Sequence, residues 1–169
     1  MKQFLKDAKG HLMTGIGYML PLIIGASLVV AIPKLIALCF GITSLDPYAD
    51  GTGIWHIMKI ENVGWTGIGM VNTVLAGFIA YSIADKPAIG AGLIGGAVAS
   101  STYAGFLGAV IAAFIAGYSV KWAKKHIKLP ESMNSVMPLV VCPLIATGLV
   151  AVIMGVILAT PLAAINTWL

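Results

Sequence analysis

The chain has 169 residues, of which 59% are hydrophobic and only 9% are charged, and its formal net charge at pH 7 is +4. About a quarter of the residues in a soluble domain are charged, so this composition excludes a soluble globular protein, and the chain is too apolar to be disordered. We therefore expect an all-α integral membrane protein with about five transmembrane helices. All ten basic residues are lysines, and most lie between the apolar runs. This pattern indicates orientation in a lipid bilayer, with no nucleic-acid partner.

The first apolar run extends from His11 to Phe40. A membrane-spanning helix needs about 20 apolar residues, so this run predicts one long span, tilted or kinked at Pro21 and Pro33. The polar leader before it, residues 1–10, predicts a short helix at the membrane surface. The polar stretch from Gly41 to Gly64 predicts a loop outside the membrane.

The second predicted span covers residues 65–84 and ends at Asp85, Lys86 and Pro87. Proline stops the helix there, and the two charges favour water. The apolar run that follows, residues 88–122, is too long for one membrane-spanning helix and too short for two full-length spans.

The polar cluster from Ser100 to Tyr103 lies near the middle of that run. It divides the run into two short spans, 88–103 and 105–122, or makes it a hairpin that turns at the cluster. A lysine-rich loop follows, and residues 136–162 predict the last span.

The distribution of lysines predicts the orientation of these five spans. Cytoplasmic loops of membrane proteins carry the excess of positive charge, so the lysine-rich side is assigned to the cytoplasm, together with the N-terminus. The other side holds Lys34 and Lys59. The lysine-rich side holds Lys2, Lys6, Lys9, Lys86, Lys121, Lys124, Lys125 and Lys128.

Small residues recur at every fourth position in two of the predicted regions. Membrane helices associate by close backbone approach, which small side chains permit, so such rows predict packed faces. The alternative is that glycine and alanine are merely abundant, since the chain has 20 glycines. One row is Ala88, Gly92, Gly96, Ser100, Ala104, Gly108, Ala112 and Ala116, and the row in the last span is Thr147, Ala151, Gly155, Ala159 and Ala163.

Few polar side chains lie within the predicted spans, and three of them are candidate substrate-binding residues: Asn72, Tyr81 and Ser82. An intramembrane amide costs free energy unless it is paired, so Asn72 contacts either a substrate or a neighbouring helix. His11 lies at a membrane boundary, where we expect a solvated or backbone-bonded imidazole.

No catalytic, metal or cofactor site is evident in the sequence. We find no glycine-rich phosphate loop, nucleophile elbow, zinc-binding helix or pair of intramembrane carboxylates. Cys39 and Cys142 are isolated in apolar surroundings and are expected to be buried free thiols. We expect no catalytic residue, no bound metal and no cofactor.

Two stretches carry a family resemblance. The runs His11–Pro21 and Ala76–Pro87, the latter continuing into Gly90–Gly96, resemble the membrane (IIC) component of fructose-type permeases of the bacterial phosphoenolpyruvate-dependent sugar phosphotransferase system. The run from Tyr81 to Pro87 is the most specific part. The chain resembles only the N-terminal half of that component, because the family's Gly-Ile-Thr-Glu motif belongs to the other half, whereas Gly41-Ile42-Thr43 here continues into serine.

The resemblance implies a multi-pass protein of the bacterial inner (plasma) membrane that couples sugar uptake to phosphorylation. In that family the IIC component carries the sugar, while a IIB domain phosphorylated on cysteine passes on the phosphoryl group. The partners implied are fructose or a related hexose, the IIA and IIB components, the C-terminal IIC half, a second copy in a homodimer, and the lipid bilayer. This chain would be the scaffold and dimerisation half of the IIC region, and other components of the system would carry out the catalysis.

The resemblance also assigns a role to the charged connections. Asp85, Lys86 and Pro87 form a cytoplasmic turn, and Lys124 and Lys125 belong to a loop that faces either IIB or anionic lipid, of which lipid is favoured. The alternative function is a non-transporting membrane protein, a remnant or a regulator, that oligomerises through its small-residue faces. A small channel lacks support, since no ring of charge falls at mid-membrane depth.

Overall fold

The computed structural model describes residues 2–43, 55–102, 104–127 and 137–158, and every regular element in these ranges is helical. The prediction of an all-α membrane protein is confirmed. The ends of the predicted spans at residues 103, 136 and 159–162 lie outside the described residues, as does Lys128. The described residues form six α-helices, in chain order α1 (Lys2–Cys39), α2 (Trp55–Gly69), α3 (Val71–Ala84), α4 (Lys86–Ser101), α5 (Gly105–His126) and α6 (Cys142–Val152).

Helix α1 contains 38 residues and includes both Pro21 and Pro33. The polar leader is therefore the first part of this helix and not a separate surface helix. No proline interrupts the chain before Pro21, so the helix continues through Gly10 without losing a backbone donor.

The prediction of a loop from Gly41 to Gly64 is wrong for residues 55–64, which belong to helix α2. The strong turn-forming residues of that stretch, Pro47, Gly51 and Gly53, all precede Trp55. The sequence after Trp55 contains no proline until residue 87, and Glu61 there has a partner on α1 that compensates its burial.

Helices α3 and α4 are separated by a single residue, Asp85, which has a φ of 63°. Pro87 lies in the first turn of α4, where its missing N–H costs nothing. The run 88–122 falls into two helices, and α5 begins at Gly105, whose φ of 60° suits glycine. The predicted division of this run near Ser100 agrees with these helix ends.

Helix α6 is flanked by two π-helical segments, Met137–Val141 and Ile153–Leu158. Within the described ranges, three helical stretches are long and apolar enough to cross a bilayer, namely Leu5–Cys39, Gly105–His126 and Pro138–Val156. Helices α2 and α3 taken together would be a fourth. Helix α4 has 16 residues, or about 24 Å, which is shorter than a bilayer core of about 30 Å.

The chain divides into two compact units, residues 20–71 and the remainder, 1–19 with 72–169. We call these the small unit and the large unit. The core of the large unit is built mainly from alanine and glycine on α3, α4 and α5, with α6 packed against α4 and α5.

Close approach in the large unit confirms the first predicted small-residue row. A Cβ atom on Gly96 would lie 2.5 Å from the Asn72 carbonyl oxygen and 2.7 Å from the Thr73 Cα. A Cβ atom on Gly95 would lie 2.8 Å from the Ala112 Cβ, so α5 is equally close on another side of α4. Neither position has room for a side chain, so only glycine permits the helices to pack this closely.

The row predicted for the last span is wrong where it is described. Ala151 and Gly155 are exposed, and the buried face consists of Cys142, Ala146, Val150 and Met154. That face lies one position earlier, because Val150 and Met154 fill the space against α4 and α5 that small residues would leave empty. Cys142 is buried as expected, whereas Cys39 is exposed at the end of α1.

In the small unit, α2 packs on the second half of α1. A Cβ atom on Gly64 would lie 2.8 Å from both the Ala26 carbonyl oxygen and the Val30 backbone nitrogen. One carboxylate, that of Glu61, is buried at this contact.

Candidate functional site

The three candidate substrate-binding residues all lie on α3, but the structure does not bring them together. Asn72 is nine residues from Tyr81, which corresponds to about 13 Å along a helix. The Asn72 side-chain amide donates a 3.3 Å hydrogen bond to the Ser100 Oγ on α4. The alternative in which Asn72 contacts a neighbouring helix is therefore the one observed.

Ser82 belongs to a polar cluster at the end of α3 that also includes His11 and Thr14 of α1. The His11 Nδ1 lies 2.7 Å from the Ser82 Oγ. The Ser82 hydroxyl donates to the Thr14 Oγ1 at 3.5 Å, and Thr14 donates to the Gly10 carbonyl oxygen at 3.1 Å. We call these three side chains the imidazole–hydroxyl cluster.

Counting hydroxyl protons assigns the direction of the hydrogen bond between His11 and Ser82. Each hydroxyl has a single proton, and those of Thr14 and Ser82 are already donated along the chain of hydrogen bonds. Ser82 then accepts a hydrogen bond from the Nδ1–H of His11. The expectation of a solvated or backbone-bonded His11 is corrected, since its partner is a side chain 71 residues away.

A cavity of about 420 Å³ adjoins this cluster, and Lys6 and Asp7 also line it. It offers both hydrogen-bond donors and acceptors over a short distance. Sequence reasoning missed His11 and Thr14 here because nothing local links them to Ser82. The one available signal was that both residues interrupt an apolar run near the same predicted membrane surface.

A second cavity, of about 660 Å³, lies where α3, α4, α5 and the π-helical segment before α6 meet, and we call it the turn cavity. Tyr81, Asp85, Lys86, Pro87 and Lys124 line it. The structure thus brings together four of the five residues assigned to the charged turn and loop.

Lys124 and Lys125 lie in the last turn of α5 and not in a loop as predicted, and Lys124 links α5 to the end of α3. Its Nζ donates a 2.7 Å hydrogen bond to the Ala84 carbonyl oxygen, the last carbonyl of α3, and lies 3.7 Å from the Asp85 Oδ2. A lysine at a helix C-terminus satisfies an unpaired carbonyl and opposes the helix dipole. The Asp85 side chain is 84% exposed, so its ion pair with Lys124 contributes little stability. Lys125 is exposed on the next position of α5.

The small unit has a charged cluster of its own. The Glu61 Oε1 accepts a 2.9 Å hydrogen bond from the Trp65 Nε1 and lies 3.1 Å from the Lys34 Nζ. The same ammonium group lies 5.2 Å from the centre of the Trp65 ring. Every buried side-chain polar atom in the described part of the chain has a hydrogen-bond partner.

None of these clusters holds a metal-binding set, because the described residues contain no group of three histidine, cysteine or carboxylate side chains close enough together. The arrangement can bind polar or anionic groups at the ends of the helices.

The chain is similar over nearly its whole length to named sugar-permease components. It is 37% identical over 160 residues to the PTS system fructose-specific EIIABC component of Bacillus subtilis, covering 94% of this chain and 25% of that protein. It is 33% identical over 165 residues to the fructose-like permease IIC component 2 of Escherichia coli K12, covering 97% of this chain and 44% of that protein.

A third relative is the PTS system 2-O-alpha-mannosyl-D-glycerate-specific EIIABC component of Escherichia coli K12, which is 34% identical over 98% of this chain and 25% of its own length. This chain is related to the membrane components of fructose-type phosphotransferase permeases. The resemblance stated from the sequence is therefore confirmed. The chain spans about a quarter to a half of the length of these permease components. No protein-family model and no solved structure matches it.

Proposed function

We propose that this chain forms the scaffold part of the membrane domain of a phosphotransferase-system sugar permease. The observation that carries the proposal is identity of 33–37% over 94–98% of the chain to components that are named as such permeases. In this proposal the chain acts together with IIA and IIB components and with the remaining part of the IIC region. The sugar is fructose or a related hexose.

The packing of the large unit supports a scaffold role. The described helices of this unit meet through glycine and alanine, and Asn72 and Ser82 are engaged by other helices. A part with these properties holds a fixed shape and leaves sugar recognition and the phosphoryl acceptor position to the rest of the permease.

The location of the lysines supports a cytoplasmic N-terminus in a bacterial inner membrane. His11 of α1 meets Ser82 near the end of α3, and Lys124 of α5 reaches Ala84, so Lys6, Lys86 and Lys124 lie at the same end of the large unit. Positive charge collected at one end favours the cytoplasmic side. In this orientation α4 leaves the lysine-rich end and α5 returns to it, as two crossings of a five-span protein require.

The orientation is tested by labelling single cysteines in intact cells, in a variant whose Cys39 and Cys142 are replaced by alanine. Cysteines at Ser101 and at Lys125 are expected to react from opposite sides of the membrane. Reaction of both from the same side contradicts two crossings by residues 86–126.

The function is tested by phosphoenolpyruvate-dependent phosphorylation of radiolabelled fructose in membrane vesicles. We expect product only when the vesicles contain this chain together with a polypeptide carrying the remaining IIC region, and when IIB and the soluble phosphotransferase proteins are supplied. Product formed without that second polypeptide would make the chain a complete permease. No product with every component present and inserted would favour the alternative, a non-transporting membrane protein that oligomerises.

A further inference from the structure

The turn cavity combines basic and apolar walls in a way that the proposed sugar transport does not use. Lys86 and Lys124 provide two ammonium groups, and Pro138, Leu139 and Pro143 provide an apolar wall beside them. Leu139 is 76% exposed, so the apolar wall continues onto the outer surface of the protein. The volume of about 660 Å³ is within the range of sites that bind small molecules.

Among the described residues that line this cavity, the positive charge exceeds the negative charge. Asp85 is the one carboxylate among the described residues that line it, and its oxygen lies 3.7 Å from the Lys124 Nζ, beyond a good hydrogen bond. The Ala84 carbonyl takes one of the three N–H donors of Lys124. The first turn of α4 also borders the cavity at Lys86 and Pro87, and the N-terminal end of a helix favours negative charge.

We propose that the turn cavity binds the headgroup of an anionic phospholipid, with its phosphate between Lys86 and Lys124. The apolar wall of Pro138 and Leu139 then contacts the glycerol and the first part of an acyl chain. A phospholipid has an anionic group and an apolar body side by side, as this cavity does, and it is always present beside a helix long enough to span a bilayer. The proposal does not depend on sugar transport.

The role of the bound lipid is to join the connection between α3 and α4 to the end of α5. Lys124 already links these segments through Ala84, and a phosphate shared with Lys86 adds a second link between the same segments. A zwitterionic lipid carries a positive group beside its phosphate, which the two lysines repel, so an anionic lipid with the same acyl chains is expected to bind more tightly.

The test uses native mass spectrometry of the full chain in a neutral detergent, with dioleoylphosphatidylglycerol and dioleoylphosphatidylcholine as probes. Each lysine near an anionic headgroup typically contributes about a fivefold change in affinity. K86Q and K124Q are therefore each expected to lower the affinity for the first bound phosphatidylglycerol molecule by about that factor. The matched control is K125Q, which removes the same charge from the next residue of α5 and is expected to leave the affinity unchanged. K124R keeps the charge and is expected to retain binding.

Equal affinity for the two lipids, or equal loss in K125Q and K124Q, would overturn the proposal, because charge in general would then explain the binding. Displacement of phosphatidylglycerol by inorganic phosphate at the same concentration would assign the site to the free ion and would also overturn it. Because K124Q removes the Ala84 hydrogen bond and can weaken folding, K86Q is the decisive variant. Circular dichroism and gel filtration establish that each variant is folded.

Discussion

The large and small units of this chain use different means to hold apolar helices together. In the large unit, α4 approaches α3 and α5 so closely that Gly95 and Gly96 leave no room for a methyl group, and the buried surface is mainly alanine. In the small unit, a glycine contact at Gly64 is joined by a buried carboxylate with an ammonium and an indole partner.

This difference reflects the environment of membrane helices. Lipid gives apolar side chains no reason to leave it, so association depends on close van der Waals packing or on polar groups that must be paired. The large unit relies mainly on packing, which tolerates very little change of shape. The small unit adds a polar anchor, whose loss leaves charged groups without compensation.

The largest expected effect comes from filling the glycine contact in the large unit. Gly96→Ala places a methyl group against backbone atoms of Asn72 and Thr73, which cannot rotate away, so the helices must separate. Overpacking of this kind costs about 1–3 kcal/mol, and we expect the upper part of that range. This loss of stability is measured as the difference in the free energy of unfolding between the variant and the unmodified chain in mixed micelles.

The control for that substitution is Gly148→Ala on α6, where an added Cβ would meet no atom within 4 Å. Alanine favours helix over glycine by about 1 kcal/mol, so this variant is expected to be unchanged or slightly more stable. Equal destabilisation at both positions would show that close approach is not what Gly96 provides.

The second-largest loss of stability is expected from the charged cluster of the small unit, which consists of Glu61, Lys34 and Trp65. Glu61→Ala removes the partner of both Lys34 and Trp65, and we expect a loss of about 1–2 kcal/mol, because Lys34 is half exposed and recovers part of its hydration. Glu61→Gln keeps an oxygen for the Trp65 N–H and should lose less.

A double-mutant cycle of Glu61→Ala with Lys34→Met measures the coupling free energy between these two side chains. The two losses are expected to be less than additive, because either substitution alone breaks the same contact. Strict additivity would contradict the ion pair.

The smallest effect is expected at the imidazole–hydroxyl cluster. Ser82→Ala removes one hydrogen bond with His11 and one long bond to Thr14, which is expected to cost about 1 kcal/mol. Ser119→Ala is a matched control, because the Ser119 hydroxyl bonds only a carbonyl of its own helix at Ile115. A loss in S82A no larger than in S119A would show that the bond to His11 adds no stability.

The sequence predicted those features that depend on local pattern. The apolar runs predicted helices. The four-residue spacing that includes Gly92, Gly96 and Gly108 predicted the face of α4 that packs on α3 and the face of α5 that packs on α4, because side-chain direction in a helix follows from spacing. The same argument failed for Ala151 and Gly155, since spacing identifies a small-residue face but does not say which neighbour it contacts.

The polar clusters could not be predicted because they join distant parts of the chain. Glu61 was assigned to a loop by its charge, and its burial is understandable only once Lys34 is beside it. His11 and Ser82 are separated by 71 residues. Nothing local indicates that two such residues meet, since the meeting depends on which helices are antiparallel neighbours.

The measurement that tests the central claim most directly is the activity of a chimeric permease. In it, this chain replaces the matched 160-residue segment of the fructose-specific EIIABC component of Bacillus subtilis. If the chain is the scaffold part of such a permease, membranes containing the chimera will retain phosphoenolpyruvate-dependent phosphorylation of fructose. Complete loss of phosphorylation by a chimera that is inserted in the membrane and folded would contradict the account.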